Sequence, residues 1–228
     1  MPENGARRSL SRDESLSLPP GAGHYRAFVG PPTEYDLIGG AQFSLAFAAG
    51  LRETHRLLDF GCGSLRAGRL FMQYLLPERY FGVEPNEWLI QDAVAREVGA
   101  DLVALKRPTF RFDDDFQLRF GVTFAYVIAQ SVFSHAGARE VATSLTSFAE
   151  ALEPSGLILA TFVVREPQAD TSARLDAGWR YPECVTYTSS EVCAFAEGAG
   201  LHARRLRWHH PMQTWFAFAR EEARLPNL

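Results

Sequence analysis

The sequence predicts an α/β protein with a doubly wound, mostly parallel sheet of seven strands that ends in an antiparallel hairpin. Three observations support this prediction. Short apolar runs alternate with longer amphipathic segments between residues 56 and 162, as in βαβ units. The first run ends in an acid and a glycine-rich turn, which is typical of a strand whose carboxyl end meets a ligand. The last two runs are five residues apart, a spacing that suits a hairpin and is too short for a parallel crossover.

The residues that precede this alternation are predicted to form two parts. Residues 1–22 are rich in serine, proline, glycine and charge, so we expect a flexible arm there. Residues 23–51 hold three aromatic residues ahead of apolar residues at helical spacing, and we expect a lid followed by a helix over residues 35–51. The aromatic residues of the predicted lid are Tyr25, Phe28 and Tyr35.

The main domain is expected at residues 52–228, with its strands at the apolar runs and its helices between them. The strands are predicted at residues 56–60, 80–83, 109–112, 124–130, 157–162, 203–208 and 214–219. The helices are predicted at residues 66–76, 86–99, 138–152 and 189–199. The last of these helices ends at Gly198-Ala199-Gly200, a common C-cap signal.

Composition and charge narrow the classes of function. Lys plus Arg is 23 against 27 for Asp plus Glu, so the net charge of −4 repels polyanions on average and argues against a nucleic acid partner. The three widely spaced cysteines suggest neither a disulfide framework nor a zinc site. We find no apolar stretch that predicts a membrane span or a signal peptide, and therefore expect a cytoplasmic protein, monomeric or homodimeric.

The most informative motif is Leu57-Leu58-Asp59-Phe60-Gly61-Cys62-Gly63, in which an apolar strand ends in an acid and turns through two glycines. A dinucleotide fingerprint would need a third glycine at position 66, where the sequence has Arg66. An acid at the strand end would also repel a pyrophosphate. Both points favour a cationic or neutral ligand over NAD.

This motif resembles the first motif of the class I S-adenosylmethionine-dependent methyltransferases. The resemblance implies that the acid and the turn hold the amino-acid end of S-adenosylmethionine, through Asp59, Gly61, Cys62 and Gly63. It also implies that Glu84, with Pro85 behind it at the end of the next strand, accepts the ribose hydroxyls. Capping of the following helix by Glu84 is the structural alternative.

Two later segments also resemble motifs of this family and follow in the same order. The resemblance places the adenine contact on Asp115 and Phe116, although an aspartate run is also typical of a solvated turn and the choice among Asp113, Asp114 and Asp115 stays open. Residues 126–135 form a strand that runs into a polar loop. The carboxyl end of this strand is expected to place Gln130 and Ser131 at the cofactor, and Ser134 and His135 at the acceptor.

His135 is the predicted general base, since an imidazole takes a proton near neutral pH. A structural, hydrogen-bonded histidine is the alternative. Further candidates for the acceptor pocket are Tyr181, His209 and His210, although adjacent histidines in a loop are often only exposed turn residues. We predict no metal site, and the tetrapeptide typical of amino-group methylation of DNA or protein glutamine is absent after residue 129.

We therefore expect a methyltransferase that uses S-adenosylmethionine to methylate a hydroxyl or carboxyl oxygen of a small molecule, such as a sugar or a secondary metabolite. The alternatives are methylation of RNA or protein, and a non-catalytic partner subunit with the same fold. Binding of S-adenosylmethionine would argue against the last of these.

Overall fold

The computed structural model describes residues 10–166 and 178–228. Its described part contains eight strands, all joined in one sheet. In chain order the strands are β1 Leu57–Phe60, β2 Tyr80–Val83, β3 Thr109–Arg111, β4 Phe124–Ala129, β5 Leu152–Val164, β6 Thr186–Tyr187, β7 His202–Arg205 and β8 Thr214–Ala219.

Seven of these strands lie side by side in the order β3-β2-β1-β4-β5-β8-β7. Strands β1 to β5 are parallel to their neighbours, whereas β8 pairs antiparallel with both β5 and β7. The eighth strand, β6, pairs with the carboxyl end of β5 beyond the stretch that β8 covers. The predicted fold class is therefore confirmed, including the C-terminal hairpin.

Helices cover both faces of the sheet. The described α-helices are α1 Arg12–Ser15, α2 Tyr25–Phe28, α3 Tyr35–Ala48, α4 Gly68–Tyr74, α5 Glu87–Ala93, α6 Ala100–Lys106, α7 Ala138–Ala151 and α8 Ser189–Gly198. Short 3₁₀ turns lie at Pro32–Glu34 and Glu222–Arg224, and a π-helical segment, Val94–Val98, extends α5. One buried cluster packs α7 and α8 against the sheet, and a second packs α3, α4 and α5 against its other face.

Several boundaries differ from the sequence prediction for local reasons. Strand β5 begins at Leu152, earlier than the predicted residue 157, because Glu153-Pro154-Ser155 continues the strand past an irregularity in its pairing with β4. The predicted helix over 86–99 divides into α5 and the π-helical segment, and α6 follows where no helix was predicted. Strand β7 stops at Arg205, earlier than expected.

Part of the predicted flexible arm has defined contacts. Helix α1 is capped by Ser11, whose side chain accepts from the Glu14 backbone N–H while the Glu14 carboxylate accepts from Ser11. Ser15 is buried, and Arg12 pairs with Asp36 of α3. This part of the arm therefore contacts α3 through Arg12. The division of the chain into arm, lid and main domain stays a prediction.

Among the described residues, no helix combines the length and the apolar character needed to span a membrane.

Candidate functional site

The turn after β1 brings backbone close to the carboxyl edge of the sheet. Gly61 and Gly63 have φ values of +71° and +53°, in the left-handed region that favours glycine. A Cβ on Gly61 would lie 2.4 Å from Val132 Cγ2, and one on Gly63 would lie 2.7 Å from Val29 Cγ1. Cys62 turns its sulfur toward Gly82, so at this position only the backbone faces the turn.

Asp59, the acid in β1, is a buried carboxylate with few hydrogen-bond donors around it. Its side chain accepts a hydrogen bond from the Tyr80 hydroxyl at 2.8 Å and faces Gln42 of α3. Burial raises the pKa of Asp59 from 3.8 to about 6, against the opposing effects of the Tyr80 bond and the Arg66 charge. The buried carboxylate is therefore suited to a cationic ligand group, which would restore its ordinary pKa.

Glu84, at the end of β2, is buried next to the glycine turn. One carboxylate oxygen accepts from the Gly63 backbone N–H at 3.1 Å, and the other accepts from the backbone and the side chain of Asn86 at 2.9 and 2.8 Å. Burial raises its pKa in spite of these bonds. The Gly63 contact links the two predicted cofactor motifs directly, while Pro85 is exposed beside them.

The aspartate run lies in the loop after β3. Asp113 pairs with Arg111, and Asp115 pairs with Arg119 at 2.7 Å while also accepting from the Gln117 backbone N–H. Both acids therefore already have local partners. Phe116 adopts a positive φ of +59° and packs against Phe60 and Trp179. The adenine role predicted for Asp115 and Phe116 stays a prediction.

Strand β4 ends in a polar cluster. Ser131 adopts a φ of +59°, a strained conformation for a residue other than glycine. Its backbone N–H donates to Thr161 Oγ1 at 2.8 Å, and its hydroxyl accepts from the Gln213 side chain at 2.9 Å. Gln130 is buried and its amide lies between Arg66 and His210. Backbone strain of this kind is common where side chains are held for a ligand.

The Arg66 side chain is buried in the same cluster. Its guanidinium donates to the Val29 carbonyl at 3.0 Å and to the Gln130 side-chain oxygen. Burial lowers the pKa of Arg66 to about 10. In the sequence, Arg66 stands out only as the residue that breaks a dinucleotide fingerprint. Its place between the glycine turn and helix α4 is the signal that could have indicated a site residue.

His135 lies beyond β4 with its ring held in one orientation. Its Nδ1 is 2.6 Å from the Glu183 carbonyl oxygen, so Nδ1 carries the proton and Nε2 carries the lone pair in the neutral ring. Burial lowers the pKa of His135. The ring packs edge-on against Tyr181 and Trp179, which stack on one another. Ser134 is fully buried, and its hydroxyl has no described hydrogen-bond partner.

The two histidines of the β7–β8 connection have different surroundings. His209 is exposed. His210 accepts at Nδ1 from the Gln213 and Met212 backbone N–H groups at 3.0 and 3.2 Å, and its Nε2 lies 3.0 Å from the Gln130 side-chain nitrogen. Burial and the charge of Arg66 lower the pKa of His210 to about 4. The structure thus joins His210, and not His209, to the cluster at β4.

The predicted lid segment crosses the site. Phe28 packs edge-on against Trp88 of α5, and its carbonyl accepts from the hydroxyl of Tyr181, a residue predicted to border the acceptor pocket. Val29 covers Gly63 and bonds to Arg66. Next to this segment, the buried Arg26 and the partly buried Arg69 each form ion pairs with Glu97 and Asp36. The Tyr35 hydroxyl donates to the Ser64 carbonyl.

Residues 58–158 match the family model of a methyltransferase domain. No curated protein sequence matches the chain significantly.

Solved structures share this fold over about four-fifths of the chain. Magnesium protoporphyrin IX methyltransferase (ChlM) from Synechocystis PCC 6803, solved with bound SAM, aligns with a TM-score of 0.62 at 15% identity, over 83% of this chain and 81% of its own. DesVI from Streptomyces venezuelae aligns with a TM-score of 0.59 at 19% identity, over 82% and 92%. The amino pentose methyltransferase CalS10 from Micromonospora echinaspora, also solved with bound SAM, aligns with a TM-score of 0.58 at 17% identity, over 82% of this chain and 92% of its own. The chain therefore has the fold of the class I S-adenosylmethionine-dependent methyltransferases, and its residues 58–158 match the model of a methyltransferase domain.

Proposed function

We propose that this chain binds S-adenosylmethionine and transfers its methyl group to a hydroxyl or carboxyl oxygen of a small molecule. The observation that carries the proposal is the pair of buried acids, Asp59 and Glu84, on either side of the glycine turn. They lie at the carboxyl ends of β1 and β2, in a fold shared with methyltransferases solved in complex with SAM.

The residues at this edge fit such a cofactor. Asp59 would face its ammonium group, because a buried carboxylate with a raised pKa gains most from a nearby cation. Glu84 would accept the ribose hydroxyls, since each of its oxygens has further capacity to accept. The backbone of Gly61 and Gly63 would pass close to the ligand where a Cβ has no room. Gln130 and Ser131 would complete this side from β4.

When bound, S-adenosylmethionine supplies a methyl group on a positively charged sulfur, which makes direct displacement possible. The chain then has to align the acceptor and, for a hydroxyl, remove a proton. His135 fits the second task, because its lowered pKa keeps the ring neutral at pH 7 and its Nε2 lone pair is free. The proton of the acceptor hydroxyl would move to Nε2, while Nδ1–H continues to donate to the Glu183 backbone carbonyl. An ionised carboxyl acceptor would need no base.

The segment at residues 23–34 would act as a lid over this reaction. Phe28 links the cofactor side, at Trp88, to the acceptor side, at Tyr181. Such a closure excludes water from the transferred methyl group and holds both reactants. Tyr181 would border the acceptor pocket next to His135. Ser134, which is buried beside the His135 ring, would contribute to the same pocket.

Similarity to enzymes named for small molecules supports the choice of acceptor. The structures that match this chain over more than four-fifths of its length include a porphyrin and an amino pentose methyltransferase. An O-methyltransferase family protein from Burkholderia thailandensis also aligns, with a TM-score of 0.56 at 13% identity. The net charge of −4 disfavours RNA as the acceptor.

The test is a calorimetric titration of the full chain with S-adenosylhomocysteine, followed by transfer of a labelled methyl group to a panel of hydroxy and carboxy compounds. The proposal expects saturable binding and a labelled small-molecule product. Label found only on RNA or protein would favour the macromolecular alternative. Absence of binding would favour a non-catalytic partner subunit.

A further inference from the structure

Trp179 is a large aromatic residue that remains half exposed beside the proposed base. It is 52% exposed, although three other rings lie close to its own. Its ring centroid is 5.8 Å from that of His135 and 6.0 Å from that of Phe116. The Tyr181 ring lies nearly parallel to it, with 19° between the two planes and 6.4 Å between the centroids. Trp179 therefore extends a cluster of rings from His135 out to solvent.

The backbone that carries Trp179 is hydrogen-bonded to the loop after β4. On one side of Trp179, the Gly137 N–H donates to the Gly178 carbonyl at 2.8 Å. On the other side, the Arg180 N–H donates to the His135 carbonyl at 2.8 Å. The position of the indole relative to the imidazole is therefore fixed before a ligand binds, which lowers the entropy that a ligand loses by ordering it.

The described groups around the Trp179 ring suit a flat, apolar ligand. Its ring neighbours are Phe116, Tyr181 and His135. The Tyr181 hydroxyl already donates to the Phe28 carbonyl. A sugar has several hydroxyl groups that each need a hydrogen-bond partner on binding, whereas an aromatic ring binds mainly through its contact area and through face and edge contacts with other rings. These surroundings favour an aromatic acceptor over a sugar.

The strength of the base favours the same kind of acceptor. Burial lowers the pKa of His135, so its imidazole is a weaker base than that of a free histidine. A phenol has a pKa of about 10, as tyrosine does, whereas an alcohol is about as weak an acid as water, with a pKa of about 16. Proton transfer to His135 is therefore far less uphill from a phenol than from an alcohol or a sugar hydroxyl.

We propose that the methyl acceptor is a phenol and that Trp179 binds the face of its aromatic ring beside His135. The inference rests on the proposed function and names a substrate class for it. The phenolic oxygen would bond to the methyl carbon as the bond from that carbon to the sulfonium sulfur breaks, and the electron pair of that bond would stay on the sulfur. The phenolic proton would move to His135 Nε2 and then to solvent. The products would be an aryl methyl ether and S-adenosylhomocysteine.

The experiment compares two probes on the full chain that share a carbon skeleton and a hydroxyl group. 2-Naphthol is aromatic, and decahydro-2-naphthol is its saturated counterpart. Binding of each probe is titrated by saturation-transfer NMR in the presence of S-adenosylhomocysteine, and methyl transfer is measured with labelled S-adenosylmethionine. The variants are Trp179→Ala, Trp179→Phe and a matched control, Leu105→Ala. Leu105 is an apolar residue of α6 that is 60% exposed, and it lies before the amino end of β3, at the opposite edge of the sheet.

The proposal predicts that the wild-type chain binds 2-naphthol about tenfold more tightly than decahydro-2-naphthol and methylates 2-naphthol faster. Trp179→Ala should weaken the binding of 2-naphthol by about tenfold, because the contact with the indole face is lost. The same variant should leave the Kd for S-adenosylhomocysteine within about twofold of the wild-type value, since Trp179 acts on the acceptor. Trp179→Phe should keep most of the affinity for 2-naphthol, and Leu105→Ala should change neither binding nor transfer.

Equal binding of the two probes by the wild-type chain, or unchanged binding of 2-naphthol by Trp179→Ala, would overturn the inference. Methyl transfer to alcohols, sugars or carboxylates but not to phenols would also overturn it, while leaving the proposed function in place. Failure of the wild-type chain to bind S-adenosylhomocysteine would instead remove the proposed function. Binding of 2-naphthol that depends on Trp179 would then still support the aromatic site, and its absence would overturn it. Urea denaturation followed by far-ultraviolet circular dichroism establishes that each variant is folded.

Discussion

Replacing Asp59 with asparagine should stabilise the ligand-free protein while weakening its binding of S-adenosylhomocysteine. Asp59 is only 3% exposed, and its carboxylate accepts from the Tyr80 hydroxyl at 2.8 Å and from the Gln42 side chain. Asparagine has nearly the same shape and its side-chain oxygen can still accept from Tyr80. The substitution therefore removes the buried charge and leaves the packing in place.

The pKa of Asp59 sets the size and the pH range of the effect. Because burial raises this pKa from 3.8 to about 6, the folded state holds the proton more tightly than the unfolded chain does. Stability contributed by the protonated form is therefore lost as the pH rises through this range. The loss amounts to about 3 kcal/mol above pH 6, at 1.36 kcal/mol for each pKa unit. Below pH 4 wild type and variant should be equally stable.

Urea denaturation at several pH values between 4 and 7.5 measures this difference. Asp36→Asn is the matched control with the opposite sign. Burial alone would raise the pKa of Asp36, but hydrogen bonds from Arg69 and Arg26 lower it, so the charged form is favoured in the folded protein. Asp36→Asn should therefore destabilise at neutral pH, and the loss should shrink on acidification.

A destabilised Asp59→Asn variant at pH 7, or a gain in stability that does not depend on pH, would refute the reasoning about the buried charge. Unchanged affinity for S-adenosylhomocysteine would refute the functional half of the prediction. Together the two results would show that the charge of Asp59 destabilises the ligand-free protein and is stabilised when a cationic ligand group binds beside it.

Three further predictions test other parts of the site. Glu84→Gln should weaken the binding of S-adenosylhomocysteine and of 5′-methylthioadenosine, which share the ribose, by the same factor of about tenfold or more in calorimetry. A loss of affinity for only one of the two ligands would contradict the ribose role. His135→Gln should lower kcat about 10²- to 10⁴-fold on a hydroxyl acceptor with an unchanged Kd for S-adenosylhomocysteine, and full turnover would exclude the base. Gly63→Ala should lower the free energy of unfolding by about 1–3 kcal/mol in urea denaturation, because the new Cβ would meet Val29 and the residue has a positive φ. The control Gly40→Ala, with open space around its Cβ in α3, should leave the free energy of unfolding unchanged or raise it.

Much of the fold could be predicted because its signals are local. Apolar runs marked the strands, and the spacing before residue 214 marked the hairpin, which the structure confirms. The helix α6 was not predicted because Ala100–Lys106 contributes no fully buried residue and so shows little periodic signal. The two-residue strand β6 forms only through its pairing with the end of β5, a contact that no local pattern encodes.

The candidate site divides in the same way. Asp59, Gly61, Gly63 and Glu84 stand in one motif or directly after a strand, where sequence order alone indicates a shared edge of the sheet. The roles of Gln42, Tyr80 and Arg66 depend on which elements pack together. Tyr80 faces Asp59 because β1 and β2 pair in one register, and Gln42 reaches it from α3. The split between His209 and His210 likewise needs the path of the β7–β8 connection.

The most direct test of the central claim is calorimetric titration of the full wild-type chain with S-adenosylmethionine, alongside Asp59→Asn and Glu84→Gln. The account predicts saturable binding with one ligand per chain in the wild type and marked weakening in both variants. Absence of binding by the folded wild-type chain, or equal binding by all three proteins, would contradict it.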